Sequence, residues 1–246
     1  MKKSALIFIV ACLSLTMFTG CGKNNEKTEE KPTTTDTAIS SEDKSENKKK
    51  EEKKEEKRLP DISSKALSKE RQADAKVKLK KFDITQSAFK LNGEIYQLPF
   101  SYARISDEWT FDLEDYGFKN TFKLEPGQRT TDNIILRKNN TDYTITVGLM
   151  NPYDVPISVE ESQIWSVTLS IKDCDTKPLL RLPAKITWNS SLVDVTLAYS
   201  DPTVPFTHDL ETKSYFYTYM KDYNHYLNLE ISEEDGLVSF TMKRYE

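Results

Sequence analysis

Apolar and polar positions change rhythm along this chain, and the changes mark its parts. Ala5–Phe18 is an apolar run behind Lys2 and Lys3. From Gly22 to Arg58 there are 11 acidic and 11 basic residues, no aromatic residue and one Ile. Such a stretch cannot bury enough apolar surface to offset chain entropy. Its Lys and Glu pairs repeat with period four, so like charges fall at i, i+4 and oppose a helix. Leu59–Lys81 is basic, with seven bases and three acids. A weak helix fits 64–77, and Lys76-Val77-Lys78-Leu79-Lys80 alternates as an extended lead.

From Phe82 onward the period of two dominates. Ser87–Leu91, Asn92-Gly93 and Glu94–Leu98 predict a hairpin, because Asn-Gly supplies the two positive-φ positions of a tight turn. Tyr102, Ile105 and Trp109 predict a short helix after Pro99. Strands are expected at 118–124, 133–138, 143–150 and 163–171. Lys185–Trp188 reads as extended. Ser190 or Ser191 caps a second helix through Tyr199, with Leu192, Val195, Leu197, Ala198 and Tyr199 as its apolar stripe and Pro202 as its stop. Strands at 214–220, 225–232 and 237–243 complete the pattern, the last two joined by Asp235-Gly236. The expectation is an α+β fold, mostly antiparallel β-sheet with two short helices. The expected parts are a signal at 1–20, a disordered charged tether at 21–81, a β-rich subdomain at 82–180 and a helix-plus-sheet subdomain at 181–246.

Composition sharpens this division. The 165 residues from Phe82 to Glu246 hold all 12 Tyr, all 3 Trp and 9 of the 11 Phe. That excludes a polytopic membrane protein and a wholly disordered chain. Seven Gly, widely spaced after Gly22, leave no room for a glycine-rich phosphate loop.

Fourteen apolar residues span only ~21 Å as a helix, short of a ~30 Å hydrocarbon core. Two positive charges, a short apolar stretch and small residues form a secretory signal. Phe18-Thr19-Gly20-Cys21 then resembles the lipobox of bacterial lipoproteins. The resemblance implies that Cys21 is diacylated and becomes the new N-terminus, anchoring the chain to the outer face of the cytoplasmic membrane. Two acyl chains hold stably where one holds reversibly. Cys12 would leave with the signal, so Cys174 would be the one remaining thiol. Its neighbours Asp173 and Asp175 disfavour a thiolate nucleophile.

Ile186–Val195 followed by Tyr199-Ser200-Asp201-Pro202 resembles the helix-plus-sheet domains of the BamE (SmpA/OmlA) and β-lactamase-inhibitor-like group. Leu91-Asn92-Gly93, Tyr96-Gln97-Leu98-Pro99 and Trp109 resemble uncharacterised lipoproteins of Gram-positive anaerobes. Leu98-Pro99 and Leu182-Pro183, each ahead of a helix, suggest a tandem pair of related units. These resemblances imply a binding or assembly role without catalysis.

The chemistry agrees in direction. Phe82–Glu246 has 15 bases and 25 acids, net −10, which repels a phosphate backbone and argues against nucleic acid. No G-x-S-x-G, H-E-x-x-H or S-x-x-K occurs. His208, in a loop, and His225, opening a strand, are expected as surface or half-buried residues rather than metal ligands. The acidic clusters lack the ligand spacing of a calcium loop. No metal and no cofactor is expected. In Tyr215-Phe216-Tyr217-Thr218-Tyr219-Met220, Tyr215, Tyr217 and Tyr219 share one sheet face, with Tyr223 and Tyr226 nearby. Either these tyrosines pack beneath the helix, or they form an open face for a protein, peptide or glycan. The functional expectation is a membrane-anchored, non-catalytic interaction or ligand-binding module. A glycan- or small-ligand-binding lipoprotein is the alternative, with an envelope hydrolase behind it.

Overall fold

The computed structural model describes residues 57–245 apart from 112, 118, 120 and 173. The signal, Cys21 and the tether up to residue 56 lie outside the described residues. Among the described residues there are two α-helices, α1 (Ser64–Asp74) and α2 (Leu192–Tyr199). The strands are β1 (Ala88–Leu91), β2 (Glu94–Gln97), β3 (Phe100–Ser101), β4 (Trp109–Thr110), β5 (Ile134–Lys138) and β6 (Thr144–Met150). They continue as β7 (Gln163–Ser170), β8 (Leu180–Arg181), β9 (Val204–Asp209), β10 (Ser214–Asp222), β11 (His225–Ser232) and β12 (Gly236–Arg244). The fold is α+β and mostly antiparallel sheet.

The large sheet runs β4-β5-β6-β7-β12-β11-β10-β9, with β3 beside the start of β7. Strand register lines up two apolar rows on its inner face. One is Leu136, Ile145, Leu169, Phe240, Leu229 and Tyr217; the other is Ile134, Val147, Val167, Met242, Leu227 and Tyr219. All twelve side chains are buried. Burying one such side chain is worth about 1.5–3 kcal/mol, so this face dominates the stability. The small sheet β2-β1-β8 and α2 cover it: Phe89 packs on Phe240, and Tyr199 on Tyr219. The row between, on the outer face, is Ile135, Thr146, Thr168, Thr241, Asn228 and Thr218. Period two therefore separates core from surface across six strands.

Local chemistry explains the turns and caps. Asn92 and Gly93 take φ of 49° and 96°, as the hairpin requires. Gly236 has φ 71°, and a Cβ there would meet the Asn189 carbonyl at 2.6 Å, so only glycine fits. Ser191 and Asp194 form a reciprocal capping box at the start of α2.

Three expectations are corrected. The tether does not reach residue 81, because 57–81 is folded onto the domain. Asp74 and Glu70 of α1 meet the guanidinium of Arg104 at 2.5 and 3.4 Å, and Arg104 also reaches Glu94 at 2.7 Å. Glu70 accepts the Ser101 amide hydrogen at 2.9 Å, and Asp74 that of Gln97 at 3.1 Å. The docking of α1 is polar, which is why no strong apolar stripe announced it. The split at 180/181 falls inside β8, which pairs with β1, and β7 pairs with β12; 82–180 and 181–246 share both sheets. The helix expected over Tyr102–Trp109 is a 3-10 turn at Tyr102–Arg104 and then β4. Trp109 leaves the helical path to pair with Lys138 and to bury its ring against Tyr143. Within 118–124 the described residues show one bridge, Leu124 to Ile157.

Candidate interaction surface

The five tyrosines go to three places. Tyr217 and Tyr219 are buried, and Tyr199 of α2 packs on the Tyr219 ring. The Tyr219 hydroxyl donates to the Ser200 carbonyl at 3.1 Å, and that of Tyr199 to the Pro183 carbonyl at 2.9 Å. Burial raises both phenols well above their ordinary value. An open face built on Tyr215, Tyr217 and Tyr219 together is therefore not what forms; two of them are core. Tyr226 is half-buried on the outer face, with the Lys243 ammonium over its ring at 5.4 Å. Tyr223 is 88% exposed at the β10–β11 turn.

Tyr215 is different. It remains half-buried beside the first residues of α2. The imidazole of His208 stacks on its ring, centroids 4.2 Å apart, and His208 Nε2 lies 2.9 Å from Glu233 Oε1. His208 stands on β9, not in a loop, opposite Tyr215. Phe206, two residues earlier, reaches the rings of Tyr215 and Tyr217 at 6.1 and 5.4 Å, yet stays 51% exposed. A cleft of about 380 Å³ opens beside Tyr215, between Leu192 and Val193 of α2 and the turn Glu233–Gly236.

Helix α2 carries apolar residues on two faces. Val195 and Tyr199 point into the core, whereas Val193 and Leu197 are 65% and 82% exposed. That pair lies four residues apart, on one side of the helix. β9 adds Val204 and Phe206, exposed, and it ends the strand order. Among the described residues no strand pairs with its far edge. Val193, the aromatic cleft at Tyr215 and the acidic turn Glu233–Asp235 thus lie together, and Phe206 and His208 of the open-edged strand reach Tyr215.

The sequence singles out Tyr215 and places His208 at the surface in a loop, and it singles out neither Phe206 nor Val193. The signal was present. Val204, Phe206 and His208 alternate with Pro205, Thr207 and Asp209, but the two prolines at 202 and 205 made the segment read as a loop.

The outer face offers a second set of groups. The Thr168 and Thr241 hydroxyls are 2.8 Å apart, and Asn228 donates to Thr218 at 2.8 Å. Among the described residues no group of three or more His, Cys, Asp and Glu side chains is placed to hold a metal ion, and no helix is long and apolar enough to cross a membrane. Comparison of the chain with protein-family models, with curated proteins and with solved structures finds no match.

Proposed function

We propose that this protein is a lipid-anchored, non-catalytic interaction module of the outer face of the cytoplasmic membrane, and that it takes an extended segment of an envelope protein along β9. The observation that carries the reading is the open edge of β9 beside exposed Phe206, Val193 and Leu197. Among the described residues, five of the ten large hydrophobic residues left exposed lie between Val193 and Leu210, so the exposure is concentrated along the chain rather than scattered. An edge strand offers unpaired backbone N–H and C=O groups, and a neighbouring apolar cleft reads alternate side chains of an added strand. The acidic border selects a segment with net positive charge. The lipobox supports the anchor, since two acyl chains keep the module at the membrane.

A second reading rests on the outer sheet face. The hydroxyl and amide row from Thr146 to Thr218 next to Tyr226 suits a glycan.

Photo-crosslinking residues placed in cells at Phe206, at Tyr226 and, as control, at Ile135 separate these readings. The proposal expects one envelope protein captured from Phe206 alone. The captured segment, made as a peptide, should bind the purified chain and lose about tenfold in affinity to Phe206→Ser, or ~1.4 kcal/mol. Equal capture from all three positions, or a peptide indifferent to Phe206→Ser, would refute it. Capture of glycan from Tyr226 would favour the second reading.

A further inference from the structure

We infer that the domain carries a second membrane contact: a lysine-rimmed apolar hollow at residues 78–86 that rests on the anionic phospholipid headgroups of the leaflet holding its lipid. The inference rests on the anchoring proposed above. The hollow has a volume of about 690 Å³; Phe82 and Ile84 give it an apolar floor, and Lys78, Lys80 and Lys81 form its rim. This combination is what an anionic amphiphilic surface requires, with charge at the rim and apolar area within.

The display is fixed, not trailing. Leu79 is buried, and its carbonyl accepts the Ala184 amide hydrogen at 3.0 Å. Phe82 stacks on Tyr199 with ring centroids 4.0 Å apart. Leu79 turns inward, while Lys78, Lys80 and Lys81 on either side of it are exposed. Asp83, the acid within the hollow, is turned to its own chain: it accepts from the Thr85 amide at 3.0 Å and the Thr85 hydroxyl at 2.6 Å.

The turn Ile84–Gln86 packs against β10 and β11, which brings the β10–β11 turn alongside. That turn adds Lys221 and Tyr223, an exposed aromatic of the kind that settles at headgroup level. Charge supports the same orientation. Residues 57–81 hold nine bases and three acids, whereas 82–246 hold 15 and 25. The acidic turn Glu233–Asp235 lies at the other end of the β10–β11 hairpin, about 27 Å away along eight strand residues. A leaflet seated on the lysines therefore leaves the acidic cleft and the β9 edge facing outward.

The test uses the full lipidated chain in vesicles, with energy transfer from its tryptophans to a dansyl-labelled lipid. Transfer should at least double between neutral phosphatidylcholine vesicles and vesicles with about 30% phosphatidylglycerol. It should fall back near 1 M salt, where the screening length is about 3 Å. Lys78→Glu/Lys80→Glu/Lys81→Glu should remove the gain, and Tyr223→Ser should reduce it, with near-ultraviolet circular dichroism unchanged. Equal transfer in both vesicles, or a triple variant that behaves as the parent, overturns the inference while the anchor stands. Release of the chain from both kinds of vesicle overturns the anchor and this contact with it.

Discussion

Arg104 shows how much one side chain decides. Its side chain is fully buried, yet it carries a permanent charge among Glu70, Asp74 and Glu94. Its guanidinium also lies 4.7 Å over the Tyr96 ring and donates to the Ile95 carbonyl at 3.0 Å. A buried charge is tolerable only when paired and hydrogen-bonded. The surroundings push in both directions: burial raises the Glu70 carboxyl above its usual value, while the Ser101 amide and Arg104 pull it back. Arg104→Met would leave Asp74 buried without its cation. We expect a loss of about 3–5 kcal/mol in urea unfolding. Amide exchange should speed up first across Ser64–Asp74, because that helix is held through this cluster. Exchange confined to its present rate in α1 would show that the helix is held by something else.

At the scale of elements, β10 faces two ways along its length. Tyr217 and Tyr219 are core residues, whereas Phe206 on the paired strand is half in solvent. Tyr219→Ser removes a fully buried ring and should cost about 3–5 kcal/mol. Phe206→Ser should cost under about 1 kcal/mol while weakening the proposed contact. Denaturant midpoints for the two variants check this, and a large loss for Phe206→Ser would make that ring a packing residue. This separation bears on what was legible beforehand. The strand at 214–220 and its tyrosine period were visible, because alternation is a local property. Which tyrosines are covered was not visible. That depends on where α2 lies: its last residue, Tyr199, packs on Tyr219, while Tyr215 borders the cleft beside its first residues, Leu192 and Val193. In the same way, the apolar stripe read on α2 included Leu197, which the fold leaves outside.

For the whole molecule, buried phenols set the response to alkali. Burial raises the hydroxyls of Tyr96, Tyr199 and Tyr219, and pushes Tyr102 up to about 12. The folded chain therefore keeps protons that the unfolded chain releases near pH 10. Their contribution is complete below that value and is lost as pH rises toward 12 and beyond. The urea midpoint should begin to fall near pH 10, with part of the tyrosinate absorbance appearing only on unfolding. A midpoint level from pH 9 to 12 would contradict this. At the same scale, Lys221 stands at one end of the β10–β11 hairpin and Glu233–Asp235 at the other. The two proposed contacts, with lipid and with an extended segment, make use of opposite ends.

What depends on near neighbours can be read from the chain alone: the antiparallel α+β class, the Asn92-Gly93 and Asp235-Gly236 turns, the capped helix before Pro202 and the two-residue alternation that builds the inner face. Turn chemistry, capping and sheet period act over a few residues, so they can be read from a few residues. Three features emerge only once the chain is folded: residues 57–81 belong to the folded body, the two halves share their sheets, and β9 is an open edge among the described residues. The first two follow from groups far apart in the chain, Asp74 with Arg104, Leu91 with Leu180 and Phe240 with Leu169, and the third from the place of β9 at the end of the strand order. Such pairings are settled by which surfaces remain to be buried once the local elements exist, and that balance is a property of the whole chain.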